Sequence, residues 1–251
     1  MLRFDGQVAL VSGAGRGIGA AIAVLLGRLG ARVAINYRED EVAAEATAKA
    51  VRDAGGEAVV LRADVSQPTE AERLIASTEA TFGPLDVLVV NQGIWKRAGI
   101  ASMTLDEWNE TLSVNLGGAY ALCHHAARRM VPRRRGAIVT VASTAGQRGE
   151  AHHSHYAASK GALIAFTKSL AAELAPSGIR VNGVAPGWVL TDMSRVALSG
   201  EAGRESLAKI PLGRPATPEE IAGPVAFLAS DLSSYLFGEI LSVNGGAVMA
   251  D

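Results

Sequence analysis

Short, unbroken apolar runs alternate with longer helical patterns along almost the whole chain, and this alternation constrains the fold more than any other feature. The runs lie at 8–12, 32–37, 58–63, 87–91, 137–142, 180–185 and 240–243. Most are apolar throughout and not alternating in polarity, as expected of central parallel strands covered on both faces. Helical patterns fill the intervals at 17–29, 41–54, 69–82, 105–130, 156–175 and 218–229. Thr104 before Asp106 and Glu107, and Thr217-Pro218-Glu219-Glu220, supply start signals. Repeated strand–helix–strand units demand right-handed crossovers and predict an α/β fold, a doubly wound parallel sheet. No linker, low-complexity tract or internal repeat divides the 251 residues, so a single domain over 1–251 is expected. The one long stretch without a clear pattern follows the sixth run, and a substrate lid around 187–215 is expected there.

Formal net charge is −1 and no long charged block occurs, which gives no reason to expect nucleic acid. The local cluster Arg133-Arg134-Arg135 reads as a solvated turn at a helix end. The one cysteine, Cys123, excludes an internal disulfide and a thiolate metal cluster and reads as buried filler. No apolar stretch is long enough to span a membrane, and the N-terminus lacks the pattern of a signal peptide. A cytoplasmic protein without membrane partners is expected.

The first run leads directly into Ser12-Gly13-Ala14-Gly15-Arg16-Gly17-Ile18-Gly19 and then a helix. Gly13, Gly17 and Gly19 allow a tight turn, let the backbone approach a pyrophosphate, and expose helix N-terminal N–H groups to its charge. Three glycines also occur in ordinary turns; their place between a first strand and an amphipathic helix is what favours a dinucleotide. The end of the second strand separates NAD from NADP, since an acid there would accept the ribose hydroxyls and repel a 2′-phosphate. This chain has Asn36-Tyr37-Arg38, with its first acid only at Glu39. Arg38 and Arg16 are expected to converge on that phosphate, which makes NADP(H) the expected cofactor. The plainer alternative is two surface arginines. Asp64-Val65 and Asn91-Gln92-Gly93 close the third and fourth runs at the edge where ligands bind. Asp64 is a candidate acceptor for the adenine amino group or a helix cap, and the backbone at Asn91 and Gly93 is placed to lie against the adenosine ribose.

Tyr156 and Lys160 stand four apart at the start of a helix, hence on one face. A free tyrosine has a pKa of about 10, and a nearby ammonium favours the phenolate, so Lys160 is expected to draw Tyr156 downward. That spacing alone is common. Ser143 strengthens it: it ends the fifth run, and a parallel sheet would bring it to the edge that carries the glycine turn. It is expected to donate to a substrate oxygen and steer it toward Tyr156. Asn115 is a polar group in an apolar context, either a satisfied buried amide or the holder of a water that links Lys160 to solvent.

Taken together these residues resemble the short-chain dehydrogenase/reductase family in its single-domain form. Gly13, Gly17, Gly19, Asp64, Asn91, Gly93, Asn115, Ser143, Tyr156-Ala157-Ala158-Ser159-Lys160, Asn182, Pro186-Gly187 and Thr191 follow the family's order over nearly the whole chain. Gln92 and Ser12 depart from it, where alanine and threonine are usual. The resemblance implies a Rossmann domain with a seven-stranded parallel sheet flanked by helices. It implies a catalytic set of Asn115, Ser143, Tyr156 and Lys160, cofactor contacts that include Ile18, Val65, Tyr156 and Lys160, and a segment with Pro186, Gly187, Val189 and Thr191 along the nicotinamide. It also implies a homotetramer. The implied reaction places a carbonyl between Ser143 and Tyr156, adds hydride from the nicotinamide and takes a proton from Tyr156, or runs in reverse as an alcohol oxidation. A dinucleotide-binding sensor without turnover is the alternative class, although it would not need this set.

For the substrate, Ala34-Ile35-Asn36-Tyr37, Val184-Ala185-Pro186-Gly187 and Val243-Asn244-Gly245-Gly246 are similar to 3-oxoacyl-(acyl-carrier-protein) reductases. That implies a 3-oxoacyl carbonyl and an acyl-carrier partner. Such enzymes dock the carrier through arginines on two helices; Arg134 matches one position, while Ala172 stands where the other is expected, which counts against the carrier. General ketone, alcohol and sugar reductases share the template. Trp95, Trp188 and His153 are the candidate substrate contacts, His153 because it lies three residues before Tyr156. His152, His153 and His155 invite a metal, but no carboxylate or cysteine completes a set at ligand spacing, so none is expected.

Overall fold

A computed structural model describes residues 2–249. Seven strands, β1 (Val8–Val11), β2 (Arg32–Tyr37), β3 (Glu57–Arg62), β4 (Leu85–Val90), β5 (Gly136–Val141), β6 (Ile179–Pro186) and β7 (Ile240–Val243), form one sheet in the order β3-β2-β1-β4-β5-β6-β7. Every pairing is parallel. The helices are α1 (Gly17–Arg28), α2 (Glu41–Asp53), α3 (Pro68–Phe82), α4 (Leu105–Leu112), α5 (Gly118–Met130), α6 (Thr144–Arg148), α7 (Ser154–Leu174), α8 (Asp192–Arg195), α9 (Gly200–Ala208) and α10 (Pro218–Ala229). The strand order reverses between β1 and β4, and the crevice beyond their C-terminal ends is where such sheets bind ligands.

Successive side chains of a strand point to opposite faces. Ala9, Val11, Val33, Ile35, Val87 and Val89 therefore enter one core, closed by Ile22 and Leu26 of α1, Val51 of α2 and Val225 of α10. Val8, Leu10, Leu88, Val90 and Ile138 enter the other, closed by Leu74 of α3, Leu122 and Met130 of α5 and Leu163 of α7. Both faces of the central strands are dry, which is why their sequence reads as unbroken apolar runs. The edge strands β3 and β7 are only half-buried. Cys123 lies inside the second core, where burial pushes its thiol up to about 12.

Three segments differ from expectation. The helix expected over 105–130 is interrupted: α4 opens with a capping box in which Glu107 N–H donates to Thr104 Oγ1 (3.2 Å) and Thr104 N–H to Glu107 Oε2 (2.8 Å), but Ser113–Gly117 then takes π spacing before α5 begins. The stretch 187–215 is not a bare loop, since it carries α8 and α9. The short helix α6 had no counterpart in the sequence pattern; its five residues are too few to show a period.

The basic turn after α5 is more occupied than a solvated turn. Arg133 donates to the Leu85 carbonyl, and Arg135 pairs with Asp86 at 3.2 Å. Arg134 adopts a left-handed backbone and donates to Pro176 O at 2.9 Å. No helix among the described residues is long and apolar enough to cross a membrane.

Candidate active site

The C-terminal ends of β1 and β4 are tied together by one hydroxyl. Ser12 Oγ accepts from Asn91 N–H (2.9 Å) and lies 2.6 Å from Gln92 Oε1. Asn91 Nδ2 donates to the carbonyls of Ser12 and Gly13, both at 3.1 Å. From the β2 side, Ala14 N–H donates to Asn36 O (2.8 Å) and Gly13 N–H to Asn36 Oδ1 (3.3 Å). The Asn36 and Asn91 amides thus brace the turn. Gly13 holds φ +59°, and a Cβ on Gly19 would lie 2.6 Å from Asn91 Nδ2 and inside contact with the Gly13 carbonyl oxygen. Only glycine lets the helix begin so close to the strand.

Beyond this turn lies a cavity of about 580 Å³. Its walls at the β1–β2 end are Gly13, Arg16, Gly17, Ile18, Asn36, Tyr37 and Arg38, with Asp64, Val65, Asn91 and Gly93 further along. Gly19 itself does not line it; it serves from behind the turn. The α1 N-terminus, with Arg16 extended and making no side-chain cap, presents its first N–H groups to this space. Glu39, the first acid after the second strand, and Asp40 also line it. Glu39 pairs with Arg38 at 2.7 Å. Asp64 Oδ1 accepts from Ser66 N–H (3.0 Å) and Ser66 Oγ (2.7 Å), so it braces the turn before α3 and does not cap the helix, whose N-cap is Gln67.

Ser143, Tyr156, Lys160, Pro186, Gly187, Val189 and Thr191 line the other end of the same cavity, with Trp95 and Trp188. Ser143 caps α6: its Oγ accepts Ala145 N–H at 3.1 Å, which leaves its own proton to donate elsewhere. Tyr156 sits in the first turn of α7 and Lys160 one turn on, its Nζ 5.9 Å from the ring centre. Lys160 is 3% exposed, and its Nζ donates to Val141 O at 2.8 Å. Asn115, fully buried, does not line the cavity. Its Oδ1 accepts Ile94 N–H (2.8 Å), and its Nδ2 donates to Ile94 O (3.1 Å) and Ser159 Oγ (3.0 Å). It is a satisfied buried amide one layer behind Gly93, where a Cβ would lie 3.3 Å from Asn115 Oδ1 and 3.5 Å from Lys160 Nζ.

Burial corrects the expected electrostatics. It pushes the Tyr156 phenol up to about 12; the hydrogen bond with Ser143 pulls the other way, and Glu150 adds to the rise. Burial also lowers Lys160 to about 8. Desolvation, and not the Lys160 charge, is therefore the larger influence on the half-buried Tyr156 phenol, and its direction is upward.

His153 is a second correction. It does not line the cavity; its ring lies flat on Trp95, centroids 4.3 Å apart and planes within 4°. Its Nδ1 lies 3.0 Å from Ala151 O. His155 is wholly buried, and among the described residues neither ring nitrogen has a hydrogen-bond partner. Burial lowers its pKa, against an opposing pull from Glu107. Among the described residues no group of three or more His, Cys, Asp or Glu side chains is placed to hold a metal. Arg148, Glu150 and Met193 line the catalytic end without having been singled out from sequence; only Glu150, three residues from His153, carried a usable signal.

A parallel sheet with a dinucleotide-type turn at its switch point, and a half-buried Tyr156 beside the buried Lys160 and a capped serine, defines an oxidoreductase of the Rossmann class. A family profile described as Enoyl-(Acyl carrier protein) reductase matches residues 13–248, and the chain belongs to the short-chain dehydrogenase/reductase family. It is similar to the 3-oxoacyl-[acyl-carrier-protein] reductase FabG of Salmonella typhimurium, 43% identical over 99% of this chain and 100% of that one. It is likewise similar to the 3-oxoacyl-[acyl-carrier-protein] reductase of Synechocystis, 39% identical over the same shares of the two chains. Among solved structures, one from Beutenbergia cavernae assigned to an NAD(P) dependent gluconate 5-dehydrogenase, with NADP bound at low occupancy, superposes with TM-score 0.92 at 39% identity over 98% of both chains. Levodione reductase superposes with TM-score 0.94 at 32% identity, over 97% of this chain and 98% of that one.

Proposed function

We propose that this oxidoreductase reduces a ketone with NADPH, Tyr156 delivering the proton, and oxidises the corresponding secondary alcohol in reverse. The observation that carries the reading is the meeting of Ser143, Tyr156, Lys160 and the glycine turn on one cavity. The cavity fits a dinucleotide: Gly13 and Gly17 leave its wall at the turn without side chains, the α1 N-terminus is open to an anion, and Arg16 and Arg38 line the end where a 2′-phosphate would lie. Bound there, NADPH supplies the hydride.

The chain's own residues then do the following. Ser143, its lone pair held by Ala145 N–H, donates to the carbonyl oxygen and fixes it against Tyr156. Tyr156, whose phenol pKa is raised by desolvation, gives its proton to that oxygen as negative charge develops. Lys160, anchored on Val141 O, would hold the nicotinamide ribose and support recovery of the phenol proton. Asn115 fixes the backbone of Ile94 beside Gly93 and so keeps the floor of the site in place. Asp64 and Val65, which line the cavity further along, would wall the adenine. The segment from Gly187 through α8 and α9, with Leu190, Met193 and Val196 exposed, acts as the lid.

The relatives' names extend the reading to 3-oxoacyl thioesters. Carrier docking through Arg134 is disfavoured because that guanidinium already holds the end of α7 through Pro176 O. The test is NADPH oxidation with an acetoacetyl thioester and a ketone panel. Tyr156→Phe is expected to lower turnover by at least about a hundredfold while NADPH still binds. Turnover near wild type in that variant would overturn the assignment, and absence of any turnover with NADPH bound would leave the sensor reading in its place.

A further inference from the structure

The wall of the cavity at its catalytic end is an aromatic corner held from several sides. The Trp95 and Trp188 rings stand at 89° with centroids 5.8 Å apart, and both residues line the cavity with Ser143 and Tyr156. Trp95 is fixed from behind by the stacked His153 ring. Its indole N–H donates to Glu150 Oε2 at 3.2 Å. The two loops concerned are further joined by Ala98 N–H donating to His152 O at 2.9 Å. To offer that carbonyl, His152 takes φ +62°, a left-handed conformation that a side chain adopts only at a cost in energy. His153 is buried, with Nε2 unpartnered among the described residues. The loop thus tolerates strain at one residue and an unmet ring nitrogen at the next, and in return one indole plane is fixed.

We infer that this corner selects carbonyl substrates that carry a flat aromatic ring next to the reacting carbon, aryl ketones, over unbranched 3-oxoacyl chains. The inference rests on the ketone-reductase reading above. A ring laid against a fixed indole gains dispersion and quadrupole complementarity over its whole face. A flexible chain gathers less contact and gives up rotamer freedom to make it. Because the indoles are held before substrate arrives, the ring ketone meets a formed surface and bears no cost of ordering it.

The test compares kcat/KM with NADPH for tetralone and acetophenone against 2-octanone and an acetoacetyl thioester, in wild type, Trp95→Leu and Trp188→Leu. The ratio of ring to chain kcat/KM is expected to favour rings in wild type and to fall on the order of tenfold in either variant, mainly through KM for the ring. Binding is read independently in a Trp108→Phe, Tyr156→Phe background, where the two corner indoles are the remaining tryptophans: tetralone should quench their emission in the presence of NADPH. A wild-type preference for the chains, an unchanged ratio in both variants, or no quenching overturns the inference while leaving the reductase reading intact. Failure to bind NADPH or to turn over either class overturns the reductase reading and this inference with it.

Discussion

The Arg38–Glu39 pair makes cofactor choice measurable. Arg38 is the side chain proposed to meet the 2′-phosphate, yet its Nη2 lies 2.7 Å from Glu39 Oε1. The side chains are 44% and 75% exposed, so water screens the pair and it is worth only about 0.2–1 kcal/mol. A charge-assisted bond to a phosphate is worth about 1.5–3 kcal/mol. Exchanging the carboxylate for the phosphate therefore leaves a net gain of about 0.5–3 kcal/mol, a factor of about 2–100 in affinity. Arg38→Leu should weaken NADPH binding by that factor and leave NADH nearly unchanged. Glu39→Gln should act the other way, tightening NADPH by about 1.5- to 5-fold, because the competitor is removed. Titration of nucleotide fluorescence at two salt concentrations reads both, and the difference between cofactors should shrink at high salt. An equal loss of NADH and NADPH affinity in Arg38→Leu would refute the reasoning, since Arg38 would then support the adenosine or the loop.

Two further outcomes follow from buried groups. Lys160 is lowered to about 8 from 10.5, so the unfolded chain holds this proton more tightly and the fold bears a cost of about 3 kcal/mol below pH 8, relieved as pH rises toward 10.5. Less about 1 kcal/mol for the lost bond to Val141 O, Lys160→Met should stabilise the protein by about 2 kcal/mol in urea at pH 7, an advantage that shrinks above pH 8; a variant less stable than wild type at pH 7 would refute this. Gly19→Ala should weaken dinucleotide binding by more than about tenfold with little change in the far-ultraviolet spectrum, because the added Cβ meets Asn91 Nδ2 and the Gly13 carbonyl; binding at wild-type strength, measured by the same titration, would count against the turn as the cofactor cradle.

The sheet was legible because burial on both faces writes itself into composition: Leu10 and Val11 serve different cores, so neither position tolerates a polar residue. The glycine turn was legible for a related reason, since close approach removes every side chain but one. His153 was misplaced because spacing of three from Tyr156 implies a shared face only inside a helix. It is the N-cap of α7, at φ −138° and ψ 35°, and its ring leaves in another direction. The Arg38–Glu39 pair escaped notice because neighbours on a strand diverge; β2 ends at Tyr37, and the bend beyond it brings the two together. The rise in Tyr156 was hidden because desolvation belongs to the assembled cavity and has no sequence signature.

The widened turn at Ser113–Gly117 has a geometric effect on everything after it. One residue more than the α repeat rotates the helix face by about 100°. The stretch 105–130, which reads as a single rod, is thereby split into two pieces with separate duties: α4 packs on α7, while α5 packs on α3 and β4. Asn115 sits at the joint. Its amide clamps Ile94 on one side and Ser159 on the other, so any shift in phase between the two pieces would be felt at once beneath Gly93 and Lys160. The chain gains a crankshaft whose bearing is a single side chain, and the alignment of the site becomes a property of helix phase as much as of the residues that face the cavity.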